Sequence, residues 1–135
     1  MLTEDIPYGA HVTVDNWVSA NGWNAPIYSH YLSNAIQEAS QYYYKRNPLS
    51  MAEGGTIPLM GMFSKAFPES EFVVTGILGP ESNAHGPNEF LHIDFTRKLV
   101  AAMALILARV SEHFEDLANK DKKWLEWSLN NQINQ

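Results

Sequence analysis

The 135-residue sequence contains no cysteine, which excludes disulfides, thiol nucleophiles and thiolate metal sites. Basic residues are also scarce, since 9 Lys and Arg face 15 Asp and Glu and the formal net charge is -6. A protein that binds nucleic acid neutralises phosphates with clustered Lys and Arg. The charge balance therefore argues against nucleic acid as a partner. The length is that of one ordinary domain.

Long hydrophobic runs are missing as well. The most apolar run, residues 99–108 (LVAAMALILA), is too short to span a bilayer, which takes about 20 residues. Residues 1–10 (MLTEDIPYGA) lack the basic and apolar segments typical of a signal peptide. We therefore expect no membrane partner and a cytoplasmic location.

Hydrophobic periodicity predicts three strands that alternate with three helices. The predicted strands are residues 10–14, 49–52 and 72–78, and the last of these (FVVTGIL) is apolar enough to be buried on both faces. The predicted helices span residues 27–45, residues 58–67 and a stretch that follows a cap at Asp94. This order favours an α/β fold, layered, with a mainly parallel sheet and flanking helices.

Two loops follow predicted strands, where sites of α/β folds gather. Residues 53–56 (EGGT) precede a predicted helix start, so the backbone N–H groups of Gly54 and Gly55 and the Thr56 hydroxyl could receive a ligand carboxylate. The alternative is that Glu53 is an ordinary loop carboxylate near a helix N-terminus. The second loop, residues 79–89 (GPESNAHGPNE), carries His85.

The sequence has five histidines and no compact metal-binding motif. The nearest pair, His85 and His92, is seven residues apart, and neither H-x-H nor H-E-x-x-H occurs. His113 is predicted to be a solvated helix residue, and His30 a structural one. His85 is the better candidate for a functional role, because it lies in a loop next to a buried strand.

Together, EGGTIP (residues 53–58) and NAHGPNE (residues 83–89) resemble the carboxyl-terminal part of zinc-dependent peptidases of family M-twenty. This family includes carnosinase, carboxypeptidase G, aminoacylase and acetylornithine deacetylase. PYGAHVTV (residues 7–14) and GWNAP (residues 22–26) also look like its members. The resemblance implies the carboxyl-terminal portion of a phosphorylase/hydrolase-like zinc-peptidase catalytic domain.

The resemblance implies a division of the chain and a set of roles. Residues 1–15 would end a lid domain with its last strand, residues 16–119 would belong to the catalytic domain, and residues 120–135 would form a polar tail. Its enzymes use two zinc ions, and His85 matches the last metal ligand. The site that the resemblance implies is completed by substrate-binding residues Glu53, Gly54, Gly55 and Thr56 and by Asn88 and Glu89, which would order the loop behind His85.

The sequence also departs from the family pattern. Ala52 stands where many dipeptidase-like members have Arg, and the other metal ligands and the general-base Glu have no counterpart among these residues. The resemblance therefore implies a fragment of an amidohydrolase that cleaves a dipeptide or an N-acyl amino acid with a zinc-activated water. We expect this chain alone to be inactive and not to retain zinc. The alternative is a non-catalytic binding or self-association module, and a homodimer is compatible with both.

Overall fold

The computed structural model describes residues 4–16, 21–52 and 58–132. Its helices are a 3₁₀ turn at Pro7–Gly9, α1 at His30–Tyr44, α2 at Leu59–Ala66 and α3 at Ile93–Gln132. The chain divides into two compact units, residues 1–25 with 52–70 and residues 26–51 with 71–135. No helix in the described residues has both the length and the apolar character needed to cross a membrane.

The first unit contains the 3₁₀ turn and α2. Pro58 precedes α2, and the Phe67 N–H closes its end on the Phe63 carbonyl. The Trp23 indole N–H donates to the Ser64 hydroxyl at 2.5 Å, which ties residues 21–25 to α2. The sequence prediction for this helix, residues 58–67, differs from the structure by one residue at each end.

The second unit is built on α1 and α3. Tyr31, at the start of α1, contacts His113 and Phe114, whereas Tyr44, at its end, contacts Phe95. The two helices are therefore antiparallel. Their core consists of small and branched side chains at helical spacing on the two facing sides, namely Leu32, Ala35, Ala39, Ala102 and Ile106.

Both ends of α1 are capped. The Ser29 hydroxyl accepts the Leu32 N–H at 3.4 Å, and Lys45 ends the helix in the left-handed conformation with φ 57°. The Glu71 carboxylate in turn accepts hydrogen bonds from the Ser29 N–H and hydroxyl and from the Tyr31 hydroxyl. Burial acts to raise the pKa of Glu71, but these hydrogen bonds outweigh it and the pKa lies below its usual value.

The predicted mainly parallel sheet is wrong, because the described residues contain helices and no strand. Residues 10–14, 49–52 and 72–78 are irregular instead. A strand exists only when a neighbour accepts and donates its ladder hydrogen bonds, and none of the three segments provides such a neighbour for another. Residues 72–78 are also not buried on both faces, since Val73 packs against the core while Val74 and Leu78 are exposed.

The last helix differs from its prediction at both ends. It begins at Ile93, and the ring nitrogen Nδ1 of His92 accepts the Phe95 N–H at 3.2 Å, so His92 provides the cap that was expected from Asp94. It also continues through the predicted polar tail to Gln132. The lid and catalytic-domain assignments of residues 1–15 and 16–119 stay predictions.

Candidate functional site

The first predicted site segment cannot be placed. Glu53, Gly54, Gly55 and Thr56 lie outside the described residues. Their assignment to a substrate carboxylate therefore stays a prediction.

The loop that carries His85 is held by one buried serine. Ser82 is 2% exposed, its hydroxyl accepts the Gly79 N–H at 2.9 Å, and its N–H donates to the Gly79 carbonyl at 3.2 Å. Its carbonyl accepts the Phe90 N–H at 3.2 Å, which closes the loop between residues 82 and 90. A buried, satisfied polar anchor of this kind fixes both ends of the loop that displays His85.

His85 occupies the third position of a tight turn. The Gly86 N–H donates to the Asn83 carbonyl at 2.9 Å, and His85 has a left-handed backbone with φ 61°. This conformation is unfavourable for a residue with a Cβ atom and is over-represented at functional sites. The Asn83 amide folds back over the turn and donates to the Pro87 carbonyl. A Cβ on Gly86 would lie 2.6 Å from that amide, so glycine suits the position.

Glu89 lies close to the backbone of His85. The His85 N–H donates to the Glu89 carboxylate at 3.3 Å, so this side chain bridges the loop as it returns towards the Ser82–Phe90 closure. Asn88 adopts a left-handed backbone with φ 57°. All three residues are exposed. The structure brings Glu89 to His85, and the ligand role of the imidazole stays a prediction.

The donor set around His85 does not make a complete metal site within the part of the chain that the structure describes. No three His, Cys, Asp or Glu side chains come together there in a group that could hold a metal ion. A catalytic zinc takes three protein ligands as a rule. The described residues therefore do not fit a resident zinc ion, and His85 would need ligands from elsewhere.

A cleft of about 390 Å³ opens beside this loop and was not predicted from the sequence. It is lined by Leu78 and Pro80 at the base of the loop, by Tyr44 from α1, by His92, which caps α3, and by Phe95 in the first turn of α3. The Tyr44 hydroxyl is buried and has no hydrogen-bond partner among the described residues. Burial raises the pKa of Tyr44 above its usual value. The sequence predicts packing roles for the three tyrosines at positions 42–44. It does not predict which of their hydroxyls lacks a hydrogen-bond partner.

Two other histidines have structural contacts. His113 is half-buried and its ring stacks on Tyr31 with centroids 4.3 Å apart, which differs from the solvated residue that the sequence predicted. His30 is exposed at the start of α1, where its Nδ1 lies 3.1 Å from the Asn34 amide nitrogen. Neither lies in a group that could hold a metal ion within residues 4–16, 21–52 and 58–132.

A search of curated proteins relates the chain to a dipeptidase. The chain is similar to cysteinylglycine-S-conjugate dipeptidase from Corynebacterium striatum, with 32% identity over 87 residues that cover 62% of this chain. The match spans 18% of the dipeptidase, so the matched part of this chain covers less than a fifth of that protein. No protein-family model matches the chain. No solved structure matches it either. The relationship is to a peptidase-like hydrolase, over a limited stretch.

Proposed function

We propose that this chain is part of a metal-dependent hydrolase that cleaves the amide bond of a dipeptide or an N-acyl amino acid. The observation that carries the proposal is the similarity to a dipeptidase, joined to the display of His85 on an anchored turn. His85 would be one zinc ligand. Asn88 and Glu89 would order the loop behind it, and residues 53–56 would receive the substrate carboxylate.

Zinc bound in the complete enzyme would polarise the amide carbonyl and lower the pKa of a bound water. In this proposal, the chain positions one metal ligand. The closed loop holds the His85 imidazole at its surface, and Glu89 restrains the backbone at the same residue. Further metal ligands and the general base would come from a longer polypeptide, because one imidazole cannot hold a catalytic zinc.

The experiment is a comparison of two histidine variants in any longer polypeptide that contains this sequence. We expect His85→Ala to abolish metal-dependent dipeptide hydrolysis and to lower the zinc content measured by elemental analysis. His30→Ala, which changes another exposed histidine, should leave both unchanged. Full activity and full zinc content in the His85 variant would contradict the proposed ligand role.

The isolated chain offers a second measurement. We expect it to show no turnover of dipeptides and to bind zinc weakly or below one equivalent in calorimetric titration. Stoichiometric zinc, or turnover that survives rigorous purification, would show that the chain carries a complete site of its own. That result would contradict the proposal that residues of a longer polypeptide complete the metal site.

A further inference from the structure

The exposed side of α3 carries an apolar stripe, of which Phe114 touches Tyr31 of α1 and the other members lie about half exposed or more. Its members lie between one and seven residues apart and are between 42% and 65% exposed; they are Leu107, Phe114, Leu117, Trp124, Leu125 and Leu129. Ring contacts between Tyr31 and α3 reach as far as Phe114. The helix continues for about five more turns to Gln132. Beyond Phe114, this α3 stripe is therefore a helix face on which no other helix of the described residues packs.

The six members of the stripe span about 140° of the helix circumference, and a narrower seam of helix-pairing width runs through them. At 100° per residue, its central positions fall within about 80° of the helix circumference, which matches the narrow seam of paired helices. These central positions are Phe114, Ala118, Asp121, Leu125 and Ser128. Leu117 and Trp124 border this seam on one side. Glu115, Lys122 and Leu129 border it on the other.

Glu115 and Lys122 are exposed charges that a second copy of α3 would complement. They lie two turns apart on the same border of the seam and carry opposite charges. In an antiparallel pair of helices, residues on one border face the same border of the neighbouring helix. Two copies of α3 that cross between residues 118 and 121 would therefore place Glu115 of each copy beside Lys122 of the other. In a parallel pair, this border would face the opposite border of the neighbouring helix. Neither Glu115 nor Lys122 would then lie beside an opposite charge.

We propose that the α3 stripe is a self-association surface on which a second copy of this chain packs antiparallel. The interface is isologous, so each apolar contact and each Glu115–Lys122 pair occurs twice. The overlap from Leu107 to Leu129 is about 33 Å long at 1.5 Å per residue. The inference is independent of the proposed hydrolase role, since it uses no residue of the His85 loop.

Asp121 sets the strength of this association. It lies in the middle of the seam, opposite Ala118 of the second copy, where a carboxylate loses water without gaining a cation. The wild-type dimer is therefore weakened at its centre. Replacing Asp121 with leucine removes the charge and adds apolar surface at the same position.

The test is sedimentation velocity of the full chain at increasing concentration. We expect a reversible monomer–dimer equilibrium, weakened at least about tenfold in Kd by Leu125→Glu and tightened by a similar factor by Asp121→Leu. Trp127→Glu is the matched control, because Trp127 is 64% exposed, against 54% for Leu125, and lies outside the seam on the same helix. Circular dichroism checks that α3 stays helical in each variant.

A charge swap tests the antiparallel register. Lys122→Glu should weaken the dimer, and the double variant Glu115→Lys with Lys122→Glu should restore it. A chain that stays monomeric at every concentration, even with Asp121→Leu, would overturn the proposal. Equal effects of the Leu125 and Trp127 variants, or a double variant no better than Lys122→Glu alone, would also overturn it.

Discussion

At the scale of single residues, the Tyr44 hydroxyl is the clearest local imperfection. It is buried and lacks a partner among the described residues, and an unsatisfied buried polar group costs free energy. We expect Tyr44→Phe to raise the free energy of unfolding by about 1 kcal/mol. Tyr42→Phe, at an exposed position in the same helix, should have no effect. Urea denaturation followed by circular dichroism measures both, and a destabilised Tyr44 variant would indicate that the hydroxyl has a partner.

Glu71 makes the cap of α1 sensitive to acid. Hydrogen bonds from Ser29 and Tyr31 lower the folded-state pKa of Glu71 below the ordinary 4.5. Its carboxylate therefore stabilises the fold above pH 4.5, and that contribution is lost as the pH falls from 4.5 through the lower folded value. We expect Glu71→Gln to lower the urea midpoint at neutral pH and to flatten its decline over this acid range.

Glu69→Gln is the control for this pH dependence, because Glu69 is a neighbouring exposed carboxylate. Its urea midpoint should follow the wild type at every pH. If the Glu71 variant declined with acid as steeply as the wild type, the titration would belong to another group.

At the scale of elements, the α1–α3 contact depends on small side chains. Ala39 is 1% exposed between the two helices, so a larger side chain there has no free space. We expect Ala39→Leu to destabilise the fold by about 1–3 kcal/mol through overpacking. Ala108→Leu, at an exposed position of α3, should change stability little. Thermal unfolding followed at a helical wavelength would show the difference, and equal melting curves would mean that the helices can move apart without cost.

The helices could be predicted from the sequence, whereas the predicted sheet was wrong for the described residues. The spacing of apolar residues and the flanking prolines indicated α1 and α2 to within about three residues, because caps and amphipathic faces are local features. A strand depends on distant partners, and residues 72–78 read as a buried strand only on the assumption of neighbours. The exposed loop position of His85 followed from its Gly, Pro and Asn neighbours. The burial of the Tyr44 hydroxyl depends on tertiary packing, so it could not be predicted from the hydrophobic pattern.

At the scale of the whole molecule, the buried core of the described residues is small for the length of the chain. Five apolar side chains are buried there, while large ones such as Leu49, Met51 and Ile27 are more than 80% exposed. Exposed apolar surface on this scale typically binds other molecules. We expect the chain to bind a fluorescent apolar dye under native conditions, so that the dye fluorescence rises as the chain is added. A titration without fluorescence increase would contradict this expectation.

The left-handed backbone of His85 has a thermodynamic consequence that can be separated from any chemistry. Glycine adopts φ 61° without strain, so His85→Gly should stabilise the chain by about 1 kcal/mol. His85→Ala keeps the strain and should not stabilise it, which chemical denaturation would reveal. A more stable glycine variant is the result expected if the proposed ligand role of His85 is maintained at the expense of stability.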